Sequence, residues 1–234
     1  MKNLRFLKIA VNNSKKLMKI FLDTADYHEI KKRDETGLID GVTTNPSLIL
    51  KSGGDPVEVI KRIAGEFPHF ESISAEVVAE KAPEMIDQAQ VFKELSNVTI
   101  KVPCTVEGLK ACKALRSEGF TTNVTLIFSV AQAILAAKAD ATYVSPFVGR
   151  CNDNSFSGVA LVQTISGTFR EHLVRTNILS ASLRDVHHVS RCFAAGSEVA
   201  TMPPKVFDNM YNHVLTDSGL DIFQKDWESV NGSK

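Results

Sequence analysis

A lysine inside an apolar, β-branched run is the first residue whose position asks for chemistry. Lys101 stands between Ile100 and Val102 in Asn97-Val98-Thr99-Ile100-Lys101-Val102-Pro103. That composition predicts a strand, which Pro103 ends. Burial disfavours an ammonium ion and exposes the neutral amine that adds to a carbonyl, so Schiff-base chemistry is open to this residue. The plainer alternative is a lysine that snorkels or pairs at a strand end.

Other polar residues recur at the ends of apolar runs or just after them: Asp23, Asn45, Glu76, Asn123, Thr125, Ser145 and Ser182. Each has a structural alternative. Asp23 could cap the next helix, and Asn45 could stabilise the turn before Pro46. Glu76 ends an alternating segment and, in a barrel, would lie beside Lys101 on the neighbouring strand as a proton carrier. Asn123 and Thr125 are two residues apart, so on a strand they face the same side. Asn123 is read as positioning substrate, and Thr125 as orienting a water with Glu76. Arg150 and Ser182-Leu183-Arg184 suggest a grip on an anionic group, because a guanidinium and a helix amino end both suit phosphate. Alone, they would be a solvated arginine and a helix cap.

Those residues need elements to hold them. Short apolar runs at Lys19–Asp23, Gly41–Thr43, Glu71–Val77, Asn97–Pro103, Thr121–Thr125, Ala141–Ser145, Asn177–Ala181 and Glu198–Thr201 read as eight strands. Helical patterns separate them: Asp26–Thr36 with Thr24 as its cap, Pro56–Glu66, Ala82–Leu95, a helix opened by Thr105, Phe128–Lys138, Val159–Leu173, one started by Asp185, Pro204–Val214 and Leu220–Val230. Thr44–Ser47 reads as a loop and Arg150–Ser155 as a turn, with Pro146 breaking the sixth strand. The fold expected is α/β: a (β/α)8 barrel with an additional C-terminal helix, favoured over an open parallel sheet because closure brings all the polar strand ends to one mouth.

Composition narrows the function classes. The 234 residues carry 27 basic and 27 acidic side chains and are 44% apolar, unlike a disordered chain or a basic nucleic-acid-binding domain. The charge is uneven. Lys2, Arg5, Lys8, Lys15 and Lys16 occur in residues 1–18 without an acid, leaving 22 basic and 27 acidic side chains beyond. Residues 1–18 lack a secretory apolar core and are read as a flexible extension or upstream-start segment, with 19–234 as the barrel unit. No apolar stretch approaches the roughly 18 to 20 residues of a membrane span, so the expected location is cytoplasmic. Cys104, Cys112, Cys151 and Cys192 lack paired spacing, and His187-His188 has no carboxylate partner at short spacing, so no metal is expected. No nucleotide-binding glycine loop is present either, and no cofactor is implied.

With these residues in view, the chain from about Lys19 to Trp227 resembles the short transaldolase branch of the transaldolase and fructose-6-phosphate aldolase family. The resemblance rests on Leu22-Asp23-Thr24-Ala25, Thr43-Thr44-Asn45-Pro46-Ser47, Ile100-Lys101-Val102-Pro103-Cys104-Thr105 and Ser145-Pro146-Phe147-Val148-Gly149-Arg150. It implies that Lys101 forms the Schiff base, Asp23 handles a substrate hydroxyl proton, and Glu76 works through water near Thr125. Asn45 and Asn123 would position the sugar, Ser145 and Ser182 would lie near its polar groups, Arg184 would take the phosphate, and Arg150 would join or brace it. Glu76 and Phe147 resemble the transaldolase pattern, where the aldolase branch typically has Gln and Tyr. Cys104 and Leu183 depart from the family's usual aliphatic residue and Phe. The resemblance implies sugar-phosphate substrates and a homo-oligomer, a pentamer-based ring, while an aldolase releasing free dihydroxyacetone and a non-catalytic sugar-phosphate binder are the alternatives.

Overall fold

The computed structural model describes residues 18–231, and most of the expected 1–18 extension lies outside them. Eight strands alternate with helices: β1 Lys19–Asp23, α1 Tyr27–Asp34, β2 Gly41–Thr43, α2 Pro46–Ser52, α3 Pro56–Glu66, β3 Ser72–Glu76, α4 Ala82–Ala89 and β4 Val98–Pro103. The second half runs α5 Val106–Ser117, β5 Thr121–Ile127, α6 Val130–Lys138, β6 Tyr143–Pro146, α7 Val148–Asp153, α8 Gly158–Glu171, β7 Asn177–Ser180, α9 Val186–Ala194, β8 Val199–Met202, α10 Pro204–Asn209 and α11 Val214–Asn231. All neighbouring strands pair in parallel, and β8 returns to β1. The sheet is closed, so the barrel and not the open sheet is the architecture, with α11 as the additional helix.

Strand alternation sorts the side chains into two regions. Leu22, Val42, Ile73, Ile100, Val102, Val124, Val144, Ile178, Ala200 and Met202 point outward and join the helices in one apolar core. The other phase points inward, and there the barrel is two-sided. Phe21, Tyr143, Leu179 and Val199 form a compact apolar plug. Toward β3, β4 and β5 the interior is hydroxylic: Ser72 Oγ donates to Thr99 Oγ1 at 2.7 Å, and Thr99 meets Thr121 at 3.0 Å. Gly41 lets the plug form, since a Cβ there would lie 2.5 Å from the Ser72 carbonyl oxygen and 2.8 Å from the Phe21 ring.

Several local expectations need correction. Asp26, not Thr24, caps α1, accepting from the His28 and Glu29 amides; Thr24 Oγ1 instead accepts from the Asp26 amide. The Thr44–Ser47 loop gives way at Pro46 to α2, because proline at the first helical position loses no needed donor. The Arg150–Ser155 turn is largely α7. Pro146 does not break β6 but is its last residue, opposite Ile127. The fourth helix ends at Ala89 and continues as a 3-10 turn, Gln90–Phe92. Helix α10 stops at Asn209, and α11 begins at Val214, earlier than the apolar pattern from Leu220. Elsewhere, Thr105 and Asp185 cap α5 and α9 through their side chains.

Candidate active site

The carboxyl ends of the strands surround a cavity of about 130 Å³. Asp23, Asn45, Lys101, Asn123, Thr125, Ser145, Phe147, Ser182 and Arg150 all line it. They come from six strands or the segments that follow them, which only closure of the sheet brings together. Lys101 lies on β4 and is 6% exposed, with its Nζ donating to the Thr44 carbonyl at 3.2 Å. Glu76 stands opposite it in the β3–β4 register, and its Oε2 is 2.9 Å from Nζ. Glu76 reaches the amine from the side: it borders a groove toward α2, α3 and α4 instead of the central cavity.

Asp23 ends β1 and sits half-buried on the cavity wall. Burial pushes its carboxyl up from the ordinary carboxylate value, the Thr43 hydrogen bond and the Lys101 charge pull it back, and Glu76 adds to the rise. Since Asp26 caps α1, Asp23 is not the capping acid and its position calls for another account. Asn45 serves both readings, capping α2 through the Leu48 amide at 3.0 Å while lining the cavity.

On β5, Asn123 accepts from Ser145 Oγ at 2.7 Å, yet its amide nitrogen and the Thr125 hydroxyl are buried without a protein hydrogen-bond partner. Buried polar atoms are costly to leave unpaired. Both residues face the cavity, so these atoms are placed to engage a polar ligand or a water. Beyond Thr125 the strand departs from regular register, with Leu126 at φ 60°.

At the rim, α7 begins beside Phe147, whose ring carries the Arg150 guanidinium 5.1 Å from its centroid and meets Phe128 edge-on. The Gly149 amide donates to the Ser182 carbonyl at 3.1 Å, and a Cβ on Gly149 would sit 2.2 Å from that oxygen. Ser182 itself has φ 59°. Arg184 lies outside the cavity lining, half exposed, and makes a two-pronged ion pair with Asp153. Asp153 is a partner that the spacing of the sequence did not reveal.

Four lining residues were not singled out in the sequence, the apolar Leu179 and Ala181 and the polar Thr43 and Thr201. Thr43 ends β2 and Thr201 is one residue short of the end of β8, both in the same inward phase as Asp23 and Lys101, a placement hidden by the ordinary abundance of threonine in strands. His188, expected to lack a nearby carboxylate, has its Nδ1 2.9 Å from Asp185 Oδ2, three residues before it; Asp185, read as the start of α9, turns back on the first turn. Cys104 is half-buried, with its thiol pushed up by burial, and Leu183 is buried in the core. Among the described residues, no His, Cys, Asp and Glu group has the makings of a metal site, and no helix is long and apolar enough to cross a membrane.

Fold and site together define the class, a (β/α)8-barrel enzyme with amine, acid and hydroxyl groups gathered at one mouth. The chain belongs to the transaldolase/fructose-6-phosphate aldolase family, whose model matches residues 20–234. It is 51% identical over 213 residues to a probable transaldolase of Paracoccus denitrificans, covering 90% of this chain and 96% of the relative. A probable transaldolase of Brachyspira hyodysenteriae is 49% identical over 216 residues, covering 92% of this chain and all of the relative. Among solved structures, a 3-hexulose-6-phosphate synthase superposes with TM-score 0.59 at 16% identity, covering 82% of this chain and 92% of that one. A native KDPGal structure gives 0.56 at 12%, covering 83% and 84%. These two are similar in fold alone.

Proposed function

We propose that this protein is a transaldolase that moves a three-carbon dihydroxyacetone unit between sugar phosphates through a Schiff base on Lys101. The observation that carries the reading is the buried Lys101 amine at the barrel mouth, 2.9 Å from Glu76 and lining one cavity with Asp23. Nζ of Lys101 attacks the ketone of fructose 6-phosphate or sedoheptulose 7-phosphate. Water leaves and an iminium ion forms, an electron sink for the adjoining carbon–carbon bond. Asp23 takes the substrate hydroxyl proton as that bond breaks, and glyceraldehyde 3-phosphate or erythrose 4-phosphate departs. The electron pair stays on the enamine, which adds to the second aldehyde, and water then hydrolyses the Schiff base.

Glu76, already touching Nζ, carries protons into and out of the two water steps, with Thr125 orienting the water. Asn45, Asn123, Ser145 and Ser182 hold the sugar's hydroxyls. Arg150 and Arg184 hold the phosphate, Arg184 exchanging its Asp153 contact for the dianion. The catalytic unit is residues 19–234, with 1–18 an extension or upstream-start segment. The enzyme works in the cytoplasm as a homo-oligomeric ring; the exposed apolar side chains of Leu220, Phe223 and Val230 on α11 support association between copies.

The related aldolase activity, release of free dihydroxyacetone, is the second reading. Glu76 and Phe147, where the aldolase branch has Gln and Tyr, favour transfer. Product analysis with fructose 6-phosphate and erythrose 4-phosphate decides between them. Sedoheptulose 7-phosphate should form with little free dihydroxyacetone; robust release of the free ketone would favour the aldolase.

A further inference from the structure

Asp23 is held by a chain of two hydroxyls that crosses strands. Thr43 Oγ1 on β2 donates to Asp23 Oδ1 at 2.8 Å, and Thr43 Oγ1 lies 2.6 Å from Thr201 Oγ1 on β8. Thr43 and Thr201 are 3% and 2% exposed, so water does not substitute readily for either contact. A hydroxyl carries one proton. Thr43 commits its proton to Asp23, and the proton in the second contact therefore comes from Thr201. The order is Thr201 to Thr43 to Asp23, running through the strands on either side of β1.

From this we infer that Thr201, acting through Thr43, is a positioning residue for Asp23, fixing Oδ1 so that Oδ2 is presented to the substrate hydroxyl. The inference rests on the proposed role of Asp23 as the proton acceptor of bond cleavage. Hydrogen bonds in a chain polarise one another, so the outer threonine strengthens the inner contact without touching the carboxylate. The charged groups facing Asp23 are Lys101 from β4 and Glu76 from β3, with Arg150 of α7 on the same cavity wall. The two threonines are the neutral partners on the adjoining strands. Burial pushes the Asp23 carboxyl up and Glu76 adds to the rise, and the Thr43 contact is the largest influence opposing them.

The test compares Thr201→Val, which keeps shape and removes the donor, with Thr201→Ser, which restores it. Single-turnover cleavage of fructose 6-phosphate reads the step that needs Asp23. Borohydride trapping of dihydroxyacetone on Lys101 reads Schiff-base formation, which needs no carbon–carbon cleavage. Thr201→Val should slow cleavage about ten-fold, the rate equivalent of one ordinary hydrogen bond. It should also move the acidic limb of the pH profile to higher pH while leaving trapping at the wild-type rate. Thr201→Ser should recover cleavage and the limb. Wild-type cleavage with an unmoved limb in Thr201→Val, or equal loss of cleavage and trapping, would overturn the inference. Asp23→Asn separates the two layers. If it cleaves normally, the role of Asp23 itself is wrong; if it is impaired while Thr201→Val is not, only the hydroxyl chain fails.

Discussion

Glu76 and Lys101 show how one register position sets up chemistry. Placing the acid opposite the amine on adjacent strands gives Nζ a proton partner at 2.9 Å without a loop to hold it. Glu76→Gln keeps the shape and removes the base, and should lower steady-state transfer by about 10²-fold or more, checked by coupled assay. Asp23 predicts a pH dependence. In the proposed mechanism it works as an ionised acceptor, and burial raises its carboxyl above the ordinary value of 3.8. Cleavage is therefore lost as pH falls through that raised value, so the acidic limb of kcat/KM should lie at higher pH than an ordinary carboxylate would set. A limb at or below the ordinary value would contradict the assignment. At this scale the sequence was legible where an ionisable residue interrupted an apolar run, as at Lys101. It was not legible at Thr43 and Thr201, because threonine is common in strands and nothing in its type separates a structural hydroxyl from one aimed at a carboxylate.

The elements that hold these residues are set by local chemistry of different strength. Strands β3 to β5 were readable because β-branched residues alternate with inward polar ones, and α3 because Asp55 and Pro56 open it. Helices α2 and α7 were missed because each is under two turns long and too short to show an apolar period, and each is built at the cavity rim. Rim geometry yields a prediction. Gly149→Ala would press a methyl to 2.2 Å from the Ser182 carbonyl oxygen, forcing α7 and the Ser182 loop apart. With α7, which carries Arg150, displaced from the Ser182 loop, the expected result is a raised KM for sugar phosphate with Schiff-base trapping retained. Away from the mouth, buried Arg33 ties α1 to α10 through Asp208 and the Pro204 carbonyl, and also pairs with Glu29. Arg33→Met removes a buried charged donor from half-exposed acceptors and should cost on the order of 1 kcal/mol, measured by denaturant unfolding, with kcat unchanged.

At the scale of the molecule, closure is what converts scattered residues into a site. Asp23, Lys101 and Ser182 are far apart in sequence, and an open sheet would leave β1 and β8 on opposite edges. The eight-strand alternation was readable, but α11 was only partly so: its apolar residues from Leu220 onward read as an amphipathic helix covered either by its own barrel or by another copy, and Leu220, Phe223 and Val230 are exposed on this chain. An amphipathic pattern reports that a face prefers burial and is silent on which copy of the chain supplies the cover. If another copy does, Phe223→Glu should lower the mass seen in sedimentation equilibrium toward the monomer. Unchanged mass in the variant, or a monomeric wild type, would remove α11 from the account of assembly.

The central claim is that catalysis passes through a covalent bond to one amine. Incubating the protein with fructose 6-phosphate and borohydride, then mapping the modified peptide by mass spectrometry, tests it most directly. The expected result is a substrate-dependent adduct on Lys101, absent together with transfer in Lys101→Arg. Near-normal transfer by Lys101→Arg, or an adduct confined to another lysine, would contradict it.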